Sequence, residues 1–94
     1  MVAMDDNAAL SRFELAVGDQ VVFANYRRQQ GVLVITYVYA PPLLRGTGAA
    51  GRLMEAVALH AQAEGSRIVA LCGYARAWLR RHPKHRDLLS ERDV

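Results

Sequence analysis

The chain holds a single cysteine, Cys72, so no disulfide can close within it. That excludes a small secreted domain stapled by bridges. Long apolar runs are missing too: the longest uncharged stretch, Gly31 to Leu44, is broken by Pro41 and Pro42 and is too short to cross a bilayer as a helix. The first residues, Met1 to Asn7, have neither the basic segment nor the apolar segment of a secretory signal, so no membrane partner and a cytoplasmic location are expected. Repeats, low-complexity tracts and long linkers are absent. Ninety-four residues are too few for a barrel of roughly 250 residues or a two-domain enzyme. What remains is one domain, with a hydrophobic content of 52% against 22% charged residues, enough to build a core. At this size folding hides only about 60–65% of the unfolded surface, so a homodimer would help; monomer and homodimer both stay open. Acidic residues are outnumbered by basic ones, nine to twelve, and the net charge of +3 favours an anionic partner.

The chain divides into a loose leader over residues 1–10, a single domain over 11–90 and a frayed C-terminus over 91–94. Phe13, Leu15 and Val17 alternate with Glu14 and Ala16, the period of a strand. Gly18 and Asp19 make a turn, and a second strand runs from Gln20 to Arg27 with Val22, Ala24 and Tyr26 on one face. After a turn at Gly31, residues 32–39 are β-branched and aromatic on both faces, which suits a central strand covered on both sides. Proline at 41 and 42 ends that strand. Residues 49–64 have helical spacing, with Leu53, Met54, Val57 and Ala61 on one face and Arg52, Glu55 and Gln62 opposite, and Gly65 stops the helix. Arg67 to Leu71 reads as a short strand and Tyr74 to Arg81 as a second helix ended by His82 and Pro83. The expected order is βββαβα, an α/β (α+β) fold with a mixed, mostly antiparallel sheet.

The sharpest local signal is the run Arg45, Gly46, Thr47, Gly48, Ala49, Ala50, Gly51 between a strand and a helix. Glycines let backbone approach a ligand, and the free N–H groups of a helix start favour an anion, phosphate above all. Arg45 adds a cation. The competing reading is a turn whose small residues allow close helix–sheet packing. Residues 46–51 also fit G-x-G-x-x-G formally. However, residues 40–45 separate the strand from the first glycine, and the next strand ends in Leu71 and Cys72 without the acidic residue a dinucleotide site needs. A phosphate loop of the Walker type is excluded because no Gly-Lys-Ser/Thr follows.

Arg45, Gly48 and Ala50 fit the pattern Arg/Gln-x-x-Gly-x-Gly/Ala, and this resembles the acetyl-CoA pyrophosphate loop of the GNAT N-acetyltransferase superfamily. With the flanks 40–54 and 71–83 included, the chain looks like the small single-domain GNAT-like family over roughly residues 12–90. The resemblance implies a minimal GNAT-like fold, acetyl-CoA as cofactor and an amine acceptor, whether small molecule, peptide or protein. It places the CoA pyrophosphate on backbone groups of Arg45, Gly46, Thr47, Gly48, Ala49, Ala50 and Gly51, and the pantetheine arm along Val38, Tyr39 and Ala40. The thioester then falls near Cys72 and Tyr74.

Acetyl transfer needs a neutral amine, a polarised carbonyl and a proton for the leaving thiolate. Tyr74 is the candidate acid; otherwise it is a ring packed where helix meets sheet. Cys72 is either a nucleophile ahead of a helix start or a small buried hydrophobe. Direct attack by the amine is the favoured route. Where many GNAT enzymes place a carboxylate near the end of the central strand, this chain has Tyr37 and Tyr39, and Tyr39 or a water it holds is the substitute base. A CoA-binding module with little or no catalysis is the alternative. His60 is expected in solvent. His82 and His85 lack a third neighbour for a metal. Arg80, Arg81, Lys84 and Arg86 form a wet helix end that could meet the 3′-phosphate of CoA. Lacking interleaved aromatics, that run is disfavoured as a nucleic-acid patch.

Overall fold

Alternating residues build the sheet and their apolar members build the core. In a computed structural model that describes residues 4–90, the strands are β1 (Asp5–Asn7), β2 (Arg12–Val17), β3 (Gln20–Gln29), β4 (Val32–Tyr39) and β5 (Arg67–Ala70). Two helices, α1 (Ala49–Glu64) and α2 (Gly73–Arg81), accompany 3-10 turns at Pro42–Leu44 and Pro83–Leu88. The five strands lie in sequence order, antiparallel from β1 to β4, with β5 parallel to β4. The α/β fold and the mixed sheet expected from the sequence are what is found, as is α1 over 49–64.

One strand was not foreseen. Residues 5–7, within the expected leader, pair with β2 as an edge strand. No apolar alternation marks them; they are held by polar contacts. The Tyr26 hydroxyl donates to Asp6, Arg28 pairs with Asp6 at 3.2 Å, and the Asn7 amide donates to Glu14 at 3.2 Å. The first three residues of that leader and the expected frayed end, 91–94, lie outside the described residues.

Phe13 and Leu15 of β2, Val22, Ala24 and Tyr26 of β3, and Leu33 and Ile35 of β4 face Leu53, Met54 and Val57 of α1 in one buried cluster, joined by Trp78 and Leu79 of α2. Burying each large apolar side chain contributes about 1.5–3 kcal/mol. Leu33, Val34 and Ile35 are consecutive and all buried, so β4 is covered on both faces over that stretch.

Past Ile35 the strand changes face. Asn25 pairs with Tyr37 but Tyr26 pairs with Ile35, which leaves Thr36 without a partner across the ladder. Such a bulge inserts one residue and swaps the two faces of everything beyond it. Val38 and Ala40 therefore pack on the core side. Tyr37 and Tyr39 go to the outer face, where their rings meet Phe23 at 6.5 and 5.3 Å.

Among the described residues, no helix is long and apolar enough to cross a membrane.

Candidate active site

The chain leaves β4 at Tyr39, passes through the turn at Pro42–Leu44 and reaches α1 through two left-handed glycines. Gly46 has φ +80° and Gly48, the residue that caps α1, has φ +87°. A side chain rarely adopts that conformation, so glycine fits both positions. Thr47 locks the bend: its hydroxyl donates to the Leu44 carbonyl at 2.5 Å and accepts the Ala49 N–H at 3.3 Å. The first helical bond proper runs from Arg52 N–H to the Gly48 carbonyl. Among the described residues, the amide N–H groups of Gly46, Gly48, Ala50 and Gly51 are left without a partner. The first turn of α1 has no acidic residue to offset the positive end of the helix dipole.

These four residues line one pocket of about 440 Å³, together with Val38, Ala40, Leu44, Arg45, Ala49 and Tyr74. Tyr74 reaches it from the first turn of α2, and Trp78 stands one turn further along. A β-carbon on Gly51 would lie 3.4 Å from the Trp78 indole nitrogen and 3.9 Å from the Tyr74 hydroxyl. The start of α1 and the first turns of α2 thus approach each other at Gly51, with room between them for a methyl group. Burial pushes the Tyr74 phenol above its ordinary value, a rise that the nearby Arg81 charge partly opposes. The group holds its proton at neutral pH.

Most residues singled out from the sequence meet here: Val38, Ala40, Arg45, Gly46, Gly48, Ala49, Ala50, Gly51 and Tyr74 all line the pocket. Thr47 shapes the loop without lining it. Two others fall elsewhere. The Tyr39 ring stacks on Phe23 on the outer face, a consequence of the bulge at Thr36. Cys72, half-buried ahead of α2, packs against the core and is not part of the pocket wall.

Arg45 is tethered: its Nε–H donates to the Ala40 carbonyl at 2.9 Å, and its guanidinium lies 5.8 Å from the Tyr39 ring. Sequence reasoning missed Leu44, in the pocket wall, and Arg52, which the helical pattern places on a solvent face. Arg52 Nη1 approaches the Thr47 carbonyl at 3.5 Å, so a second cation hangs over the loop. The spacing from Gly48 to Arg52 is i, i+4, which was the available signal.

The histidines also differ from expectation. His85 is only 2% exposed, with Nε2 at 2.8 Å from Glu55 Oε2, and Lys84 reaches the same oxygen at 3.4 Å. His60 is half-buried, its ring against Phe13; its Nε2 lies 3.0 Å from Glu64 but too far off axis for a hydrogen bond. His82 stacks on Trp78 at 3.8 Å. Among the described residues no cluster of His, Cys, Asp and Glu could hold a metal ion.

An α/β sheet with a left-handed glycine turn, open amides at a helix start and a phenol opposite them has the layout of an acyltransferase fold. The family model for GCN5-related N-acetyl-transferases matches residues 12–88, and the chain belongs to that family. Among curated proteins, none matches it significantly.

Proposed function

We propose that this chain is an acetyl-CoA-dependent N-acetyltransferase that transfers an acetyl group to a primary amine by direct attack. The observation that carries the reading is the set of open amides of Gly46, Gly48, Ala50 and Gly51 around one pocket. Such donors, reinforced by a helix dipole and by Arg45 and Arg52, suit the CoA diphosphate. The edge of β4 turned away from β3, over Val38 and Tyr39, has no described strand beside it. Its free backbone groups suit the amides of the pantetheine arm. Acetyl-CoA supplies an activated acyl group on a thiol leaving group.

The chain's own residues do the rest. The loop fixes the diphosphate, Val38 and Ala40 direct the arm, and the Tyr74 phenol, held protonated by burial, donates to the departing sulfur. Cys72 stays outside the pocket wall, which favours direct attack over an acetyl-cysteine route.

A second reading is favoured by one observation: none of the described carboxylates lines the pocket. On that reading the chain is a CoA-binding module with little or no catalysis. Calorimetry with acetyl-CoA tests the shared premise, and no heat at near-millimolar ligand rejects both readings. Thiol release across a panel of amines then separates them: robust turnover supports the enzyme and none supports the module.

A further inference from the structure

Strands β4 and β5 pair only as far as Ile35 and Ala70, and the last bond between them runs from Leu71 N–H to the Ile35 carbonyl. Past that bond the chains part, β4 continuing to Tyr39 while the other turns into α2. The pocket lies on the helix side of this gap. On the outer side stand the rings of Phe23, Tyr37 and Tyr39. The surroundings of the gap are apolar and exposed, with Leu43 at 78%, Tyr37 at 50%, Leu71 at 48% and Tyr74 at 40%.

On this face Arg12 and Glu14 offset each other beside Phe23, and the charge left over is that of Arg45. Arg12 lies 4.4 Å from the Phe23 ring centre and Arg45 lies 5.8 Å from that of Tyr39. The described carboxylates are committed or remote: Glu14 pairs with Arg12 at 2.6 Å, Glu55 with His85, Glu64 with Arg28, and Asp6 with Tyr26 and Arg28. Asp5 is in β1, Asp19 in the β2–β3 turn and Asp87 in the last 3-10 turn. Neither a carboxylate nor a histidine among the described residues lines the pocket. Among the described residues, a cationic acceptor would meet Arg45 and a Glu14 carboxylate already held by Arg12, and the pocket wall offers an alkylammonium no carboxylate or imidazole to remove its proton.

From this we infer that the acceptor is a weakly basic aromatic amine, stacked on Tyr37, whose nitrogen is already neutral at pH 7. The inference rests on the acyltransferase reading above and names its substrate class. An alkylamine with the basicity of lysine is neutral at pH 7 to only on the order of 0.1% or less, a deficit an enzyme must recover with a base. An aromatic amine, its lone pair drawn into the ring, has no such deficit. Its nitrogen forms the bond to the acyl carbon as the carbon–sulfur bond breaks. Sulfur takes the Tyr74 proton, and the proton shed by nitrogen returns to the phenolate through water, leaving an N-aryl amide and free thiol.

Two isomers test this cleanly: 4-methylaniline, with nitrogen on the ring, and benzylamine, with nitrogen on a methylene. Thiol release from acetyl-CoA at pH 7 should favour 4-methylaniline by at least about tenfold in kcat/KM, given the difference in neutral fraction. Its rate should be level between about pH 6 and 8. Tyr37→Ala should raise KM for 4-methylaniline about fivefold, the worth of one stacked ring pair, with acetyl-CoA affinity unchanged. Equal or faster turnover of benzylamine or of a lysine-rich peptide would overturn the inference. So would a rate for 4-methylaniline that climbs tenfold per pH unit, or a Tyr37→Ala variant with unaltered KM. If acetyl-CoA binds but 4-methylaniline is inert, the substrate class falls and the cofactor site stands. If acetyl-CoA does not bind, the acyltransferase reading falls and takes this one with it.

Discussion

The Tyr74 hydroxyl lies 3.9 Å from the point a β-carbon on Gly51 would occupy, so the phenol faces the first turn of α1 across the width of one methyl group. Gly51→Ala fills that space without a clash, since its nearest neighbour, the Trp78 indole nitrogen, would be 3.4 Å away. Alanine is also favoured over glycine in a helix by about 1 kcal/mol. The variant should therefore melt at the same temperature or slightly higher while binding acetyl-CoA about five- to tenfold more weakly, because the methyl group narrows the pocket. Calorimetry beside thermal denaturation checks both; undiminished affinity would remove Gly51 from the site.

Tyr74→Phe keeps the ring and removes the proton. Loss of a general acid costs about 10²- to 10⁴-fold in rate, so kcat should fall by at least about a hundredfold with acetyl-CoA affinity unchanged. Because the phenol is raised above its ordinary value, the wild-type rate should show no loss from tyrosine ionisation below about pH 10. Rapid kinetics across that range would reveal an earlier loss if the assignment were wrong.

Cys72→Ala should change turnover by no more than about threefold, since a half-buried thiol that packs against the core behaves as a small hydrophobe. Mass spectrometry of the wild type mixed with acetyl-CoA alone should find no acetylated cysteine. A stable adduct at Cys72, together with a dead alanine variant, would establish the covalent route instead.

Glu55 and His85 pin the turn after α2 to α1. The His85 hydrogen bond, more than burial resists it, holds the Glu55 carboxyl below the usual carboxylate value of 4.5. A lowered carboxylate contributes stability above its unfolded value and loses it as pH falls through the folded one. Melting temperature should accordingly drop on acidification below about pH 4.5, and Glu55→Gln should flatten that portion of the curve. Glu55→Ala leaves a buried imidazole nitrogen unpaired and should cost about 1–3 kcal/mol at neutral pH. Unfolding in denaturant measures both.

Much of this site could be read from local chemistry. The glycine run announces the turn and the open amides because only certain residues tolerate positive φ, and the helical period of Leu53, Met54 and Val57 fixes α1. Tyr74 follows from its place at a helix start. What could not be read depends on relations between distant residues. Alternation along 32–39 gives no sign of the bulge at Thr36, yet that bulge sends the Tyr39 ring to the far face and leaves Val38 in the pocket. The edge strand at 5–7 owes its order to Tyr26 and Arg28, some twenty positions on, and not to any apolar pattern of its own. His85 sits in a run of basic residues that reads as solvated, and only the fold brings Glu55 against it.

The central claim is that main-chain amides at the start of α1 hold the CoA diphosphate, and an amide-resolved NMR titration tests it most directly. With CoA, the largest shifts should fall on Gly46, Gly48, Ala50 and Gly51, and pantetheine, which lacks the diphosphate, should leave them nearly unmoved. Shifts concentrated instead on the basic segment from Arg80 to Arg86, with those four amides silent, would contradict the account.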